Sequence, residues 1–257
     1  GDTNVAIGYS AASAATTTTN SVYIGANAAA TGVVTGNQNA IVGAESGSNL
    51  TSGNLNMVLG PYSLKECTTG SRNIAIGSDA VRYPDTESNN IGIGFQALGG
   101  SSLAGGEYNV AIGNNTLDAL TSGDYNVVMG HENATGLTTG SENTAIGSSA
   151  GYALTSGEQN SAFGRRSGEA VTTGTDNTTV GYMAGFNLTE GGGNICIGSG
   201  TSVAQATNDF QMAIGFEIDA GPNEIAIGKS GAKLTNNFTS GSSLSQSSDE
   251  RLKTDIE

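Results

Sequence analysis

Short apolar segments that end in glycine recur along this chain of 257 residues. The closing glycines are Gly8, Gly25, Gly43, Gly60, Gly77, Gly94, Gly113, Gly130, Gly147, Gly164, Gly181, Gly198, Gly215 and Gly228. The steps between them are 17, 18, 17, 17, 17 and 19 residues, then six of 17, then 13. A period near about 20 predicts a solenoid or stacked array, in which each unit buries its face only against its neighbours. A 17-residue unit has no room for two helices. It has room for one or two short strands and two tight turns.

The clearest copies are Asn4-Val5-Ala6-Ile7-Gly8, Asn73-Ile74-Ala75-Ile76-Gly77, Asn109-Val110-Ala111-Ile112-Gly113 and Asn194-Ile195-Cys196-Ile197-Gly198. In a strand, the first and third residues after the asparagine share one face and the middle residue takes the other. One face therefore carries Val and Ile, and the opposite face carries mostly Ala. A repeating small residue predicts that another backbone comes close on that side. Asparagine opens eleven of the fourteen segments, and its amide can bond the copy on the next rung to form a ladder. The closing glycine suits positive φ or a close backbone approach. The other half of the unit often reads Leu-Thr-Thr/Ser-Gly, as in Leu120-Thr121-Ser122-Gly123 and Leu137-Thr138-Thr139-Gly140. There a lone Leu fills the core and the rest turns the chain. The two long steps place their extra residues in this turn half, at 31–36 and 98–106, where insertions cost little.

Forty glycines, no tryptophan and 36% hydrophobic residues describe a thin core. The strict period argues against disorder, which gives no reason to hold a spacing. A thin core predicts that chains share one, with the Ala face of each approaching its neighbours around a common axis. The formal charge of −14 and the lack of a basic cluster exclude a nucleic-acid partner. No stretch is long and apolar enough for a transmembrane helix. Cys67 and Cys196 lie at different phases of the repeat and read as free thiols.

Candidate chemistry is sparse. His131, the one histidine, reads as a solvated turn residue. Asp118, Asp124 and Glu132 do not make a calcium loop, and no His/Cys spacing fits zinc, so neither metal nor cofactor is expected. A cation held on an axis by stacked asparagines or carboxylates is a lesser alternative. Gly191-Gly192-Gly193 is not followed by a helix signal that would make it a phosphate cradle. Threonine ladders on a flat solenoid face can bind ice, but here the pairs sit beside the turn glycine and adjacent threonines point to opposite faces.

After Gly228 comes a Ser/Asn/Gly-rich stretch and then Ser248-Asp249-Glu250-Arg251-Leu252-Lys253-Thr254-Asp255-Ile256-Glu257. Through Ser248-Asp249, Arg251-Leu252-Lys253 and Ile256, these last residues resemble the opening of the endosialidase-type intramolecular chaperone domain of bacteriophage tail fibres and tailspikes. The resemblance implies trimerisation, nucleation of the β-structured shaft and release by self-cleavage next to Ser248. Ser248 would be the nucleophile and Lys253 a base or orienting group. Over residues 1–228, the pattern Asn-x-Ala-Ile-Gly-x-x-Ala is similar to the head repeat of trimeric autotransporter adhesins. That resemblance implies a left-handed parallel β-roll in a homotrimer.

The sequence thus predicts an all-β, rod-like homotrimer, built as a repetitive β-solenoid or β-roll, or as an interwound triple β-helix. Residues 1–228 form the shaft, 229–247 a connector and 248–257 the start of a chaperone domain. Asn4, Ile7, Gly8, Asn73, Ile76, Gly77, Asn109, Ile112, Gly113, Asn194, Ile197 and Gly198 represent the structural repeat. Stacked rungs give a length of roughly 60–70 Å. The expected role is mechanical and extracellular: the shaft or distal part of a phage tail fibre engaged in host attachment, with two further copies of itself and a surface receptor, such as a glycan, as partners. Alternatives are a bacterial filament, a trimeric adhesin head, or an ice- or glycan-binding solenoid. A depolymerase of the tailspike type would need a facing carboxylate pair, and no pair stands out. Apart from one self-cleavage event, no enzymatic activity is expected. The turns at 82–89 and 98–107 vary most between repeats and are the first places to seek a receptor contact.

Overall fold

A computed structural model describes residues 3–100 and 103–237. These residues contain strands and turns and no helix. The strands are β1 (Val5–Ile7), β2 (Val22–Ile24), β3 (Ala40–Val42), β4 (Met57–Leu59), β5 (Ile74–Ile76), β6 (Ile91–Ile93), β7 (Val110–Ile112), β8 (Val127–Met129), β9 (Thr144–Ile146), β10 (Ser161–Phe163), β11 (Thr178–Val180), β12 (Ile195–Ile197), β13 (Ser202–Val203), β14 (Met212–Phe216), β15 (Asp219–Ala220), β16 (Glu224–Lys229) and β17 (Ala232–Asn237).

One fifteen-stranded sheet takes β1 to β12, β14, β16 and β17 in order, while β13 and β15 pair separately. Each strand from β1 to β16 in the large sheet lies parallel to the next, with repeat positions in register, as in Val110↔Val127 and Ile112↔Met129. The backbone bonds run from one coil to the next coil of the same chain, so the fold is a β-solenoid and not an interwound helix. The two insertions leave the strands untouched: Val22 faces Ala40 and Ile91 faces Val110. At the far end β17 runs antiparallel to β16, from Glu224↔Asn237 to Lys229↔Ala232. That reversal falls at the start of the Ser/Asn/Gly-rich stretch.

The interior differs from the sequence expectation in one respect. The middle residue of each strand does not face a neighbouring chain. It points into its own coil: Ala75, Ala111, Ala145 and Ala213 are buried together with Leu50, Leu64, Leu120, Leu137, Leu154 and Leu188 from the turn side. A 17-residue coil is narrow, so a methyl group on the sheet wall leaves room for one leucine on the opposite wall. At two coils with a larger middle residue, Ile41 and Thr179, the facing residue is glycine. A Cβ on Gly47 would lie 2.8 Å from Ile41 Cδ1, and one on Gly185 would lie 2.6 Å from Thr179 Cγ2. Conversely, Gly92 replaces the middle alanine where Val81 reaches in.

The turns are unusual. Among the described residues, thirty-two other than glycine have positive φ. They recur just before the ladder asparagine (Arg72, Tyr108, Glu142) and in the turn after the closing glycine (Asp79, Leu64, Val81, Glu132). Left-handed backbone costs about 1–2 kcal/mol for most residues. Here bonds between coils hold it in place: Arg72 N–H donates to the Asn54 carbonyl at 2.9 Å and Glu132 N–H to that of Asn114 at 3.1 Å.

Candidate functional site

Two side-chain ladders fix the coils. In the first, the backbone N–H of each ladder asparagine donates to Oδ1 of the asparagine one coil earlier, as in Asn73 to Asn56 at 2.9 Å and Asn126 to Asn109 at 3.0 Å. The Nδ2 group donates forward to a turn carbonyl, as in Asn126 to Gly140 at 2.9 Å. The ladder starts at Asn4, whose Oδ1 accepts from Ser21 N–H at 3.0 Å, and reaches Gln211, whose N–H donates to Asn194 at 2.8 Å. Asn73, Asn109 and Asn194 are fully buried and satisfied. The expected asparagine ladder is therefore present.

The second ladder was not read from the sequence. Two residues before most ladder positions, a polar side chain accepts from the backbone N–H one coil earlier. Asn37 N–H donates to Asn54 Oδ1 at 2.8 Å, Asn54 N–H to Ser71 Oγ at 3.0 Å, and Glu107 N–H to Asp124 Oδ1 at 2.7 Å. Asp124, one of the scattered acids, has a structural task. Stacking the sequence at its own period shows Asn, Ser, Asp or Glu recurring in this column, which is the signal that was available.

The closing glycines form a third column. Gly8, Gly77, Gly113 and Gly198 all have positive φ, and a Cβ on any of them would collide with the backbone of the next closing glycine. The threonines of the turn half bond along the axis as well. Thr121 Oγ1 donates to the Thr138 carbonyl at 2.9 Å and Thr138 Oγ1 to that of Thr155 at 3.2 Å.

With the middle residue, the asparagine and the glycine turned inward, period-two alternation turns the other residues out. The first and third residues of each strand, among them Ile7, Ile76, Ile112 and Ile197, form two columns on the outward face. Over fourteen strands in register these are twenty-eight positions, and only Thr144, Ser161 and Thr178 are polar. Many are open to solvent: Ile7 is 58% exposed, Met57 52% and Leu59 51%. A further column flanks each side. The residues just before the ladder asparagines include Leu55, Tyr108, Tyr125 and Phe210, and those just after the closing glycines include Tyr9, Phe95, Tyr182 and Phe216, all exposed. Tyr108 and Tyr125 stack with ring centroids 5.0 Å apart and planes 5° apart.

The remaining candidates are local. In the variable turn at 82–89 and the coil before it, Arg82 lies over the Tyr83 ring at 5.0 Å and pairs with Asp79 at 2.7 Å, while Lys65 pairs with Glu45 at 2.8 Å. His131 is exposed, 4.0 Å from Glu132. Cys67 and Cys196 are free and buried. Burial pushes both thiols up to about 12. A small interior gap lies beside Ala145, Ala162, Leu154 and Val171. Among the described residues, no three His, Cys, Asp or Glu side chains gather where a metal ion could sit. No helix there is long and apolar enough to cross a membrane. Ser248 and Lys253 lie outside the described residues. Comparison with protein families, with curated proteins and with solved structures gives no match.

Proposed function

We propose that this chain is the shaft of an extracellular attachment fibre, of the kind that phage tail fibres use, and that three copies share the outward sheet face. The observation that carries the reading is the long apolar strip, whose first column is broken at Thr144, Ser161 and Thr178. Fourteen strands at about 4.8 Å per rung extend it to about 65 Å, and its four alternating columns span roughly 20 Å. The whole face, the apolar columns with their mixed flanks, is on the order of 1,000 Å². It matches the roughly 800 Å² that each partner buries in a stable interface. Exposed tyrosines and phenylalanines along its edges fit the aromatic enrichment of protein interfaces.

The strip favours a mechanical role. Such a rod would hold a receptor-binding surface at a distance, and its acidic exterior would keep assembled rods apart in solution. The threonine column weighs against ice binding, because its hydroxyls already donate to carbonyls one coil on. Self-cleavage beside Ser248, with Lys253 assisting, remains an expectation from sequence resemblance.

Light scattering over a range of concentrations tests the proposal. A fixed mass near three times 25.6 kDa is expected. A monomer at all concentrations overturns the shared face, and a mass that grows with concentration replaces the closed fibre with a polymerising filament.

A further inference from the structure

The two columns that flank the apolar strip differ from each other in charge. The column just before the ladder asparagines carries Glu142 and Asp176, with Arg72 its single cation. The column just after the closing glycines carries Arg165 and no acid between Tyr9 and Phe216. Arg165 belongs to the coil of β10, between the coils that hold Glu142 and Asp176. Within one chain these columns lie at opposite edges of the sheet face, separated by the strand. Among the described residues Arg165 forms no ion pair, and its guanidinium lies over the Tyr182 ring at 5.6 Å.

We infer that copies of this chain pack parallel and in register, with the column after the closing glycines of one against the column before the ladder asparagines of the next, so that Arg165 meets the neighbouring copy at Gln159, which donates to Glu142 at 3.1 Å, with Glu142 and Asp176 one rung to either side. The inference rests on the shared-face reading above and adds its register and direction. Edges that meet this way make a head-to-tail contact, which closes into a ring when the rotation allows. At zero offset, Arg165 stands about one rung, some 4.8 Å, from each acid along the axis. The same alignment brings bulky residues together coil by coil: Leu55 beside Pro61, Tyr125 beside His131, and Phe210 beside Phe216. A shift of several coils sets Arg165 against uncharged positions or against Arg72, and it separates these bulky pairs.

Disulfide trapping tests the register. Gln38 and Ala44 belong to the same coil, one in each edge column, with β3 between them, so they cannot pair within a chain. The buried Cys67 and Cys196 stay out of the reaction. A Gln38→Cys/Ala44→Cys variant is first sized by light scattering under reducing conditions, then oxidised. The expected product is a covalent multi-chain species on a non-reducing gel. The offset pair Gln38→Cys/Ser78→Cys, two coils out of step, is expected not to cross-link. A multi-chain assembly whose offset pair cross-links and whose in-step pair does not overturns the register while leaving the shared face standing. A monomer under reducing conditions for the unmodified chain overturns both. In a second arm, Arg165→Glu is expected to raise the dissociation midpoint concentration by about tenfold at low salt, with Arg165→Lys nearer the unmodified chain. Equal effects of the two changes overturn the charge contact.

Discussion

A Cβ placed on Gly164 would lie 2.6 Å from the carbonyl oxygen of Gly181, the same position one coil on, at a backbone φ of +127°. Neither the side chain nor the backbone conformation is available to alanine there. Gly164→Ala is expected to cost at least about 3 kcal/mol, from backbone strain and overpacking together. Gly105 also has positive φ, at +111°, but nothing lies within 4 Å of its Cβ position. Gly105→Ala should cost only the strain, about 1–2 kcal/mol. Thermal unfolding followed by circular dichroism orders the two, and equal losses would remove the stacking argument.

Asn126 links three coils through Oδ1 and Nδ2. Replacing it by alanine leaves the Asn143 N–H and the Gly140 carbonyl without the partners they have at 3.0 and 2.9 Å. Both groups lie in the interior, so the expected loss is about 1–3 kcal/mol for each group left unpaired. Amide hydrogen exchange should quicken at Asn143 and its neighbours before it quickens at the ends. Uniform exchange along the chain would contradict a local ladder contribution.

The buried thiols make stability fall at high pH. Cys67 and Cys196 are held protonated up to about 12 when folded, against an ordinary value of 9.0. Burial is the main cause in both. The folded state therefore binds more protons than the unfolded state between those values, and unfolding releases them. This contribution is complete below pH 9 and is lost as pH rises toward 12. Denaturant melts at pH 8 and pH 10 should show the decline in the unmodified chain and a smaller one in Cys67→Ala. A thiol reagent should label neither cysteine until the chain unfolds.

Inward and outward substitutions should separate folding from assembly. Ala111→Leu overfills its own coil, at about 1–3 kcal/mol, and Leu120→Ala empties the opposite wall, at about 2–5 kcal/mol. Both should lower thermal stability whatever the oligomeric state. Ile112 is on the outward face, so Ile112→Lys should keep the β-rich spectrum and reduce the solution mass. If Ile112→Lys unfolds the chain and Ala111→Leu only dissociates it, the assignment of the two faces is reversed.

Strain in the turns gives a stabilising change. Arg72 is exposed with φ at 58°. Asparagine tolerates that conformation better than most residues. Arg72→Asn, which keeps the backbone bond to Asn54, should raise stability by about 0.5–1 kcal/mol, measurable by chemical denaturation.

The repeat, the strand positions, the glycine column, the asparagine ladder and the place of the insertions are all determined by the sequence. Each follows from a local rule that recurs at the same phase: alternation within a strand, an amide that can bridge rungs, a position that admits only glycine. The sequence also put Val and Ile at the first and third strand positions, such as Val110 and Ile112, on one shared face. Which face was inside could not be decided locally. Alternation separates two faces without saying which one the turn closes over, and that depends on the width of the coil and on where Leu120 and Leu137 fold back. The same holds for the second ladder. Asp124 and Ser141 look like loop residues until the coils stack and bring a backbone N–H beneath each side chain. The left-handed turns, too, are imposed by stacking, because residues such as Val81 and Tyr125 would not adopt them alone. Only the tertiary structure set the middle residues inward and the Val and Ile columns outward, because the turn half, with Leu120 and Leu137, folds back over that side of the strand; where a large middle residue such as Ile41 goes inside, the facing position is Gly47.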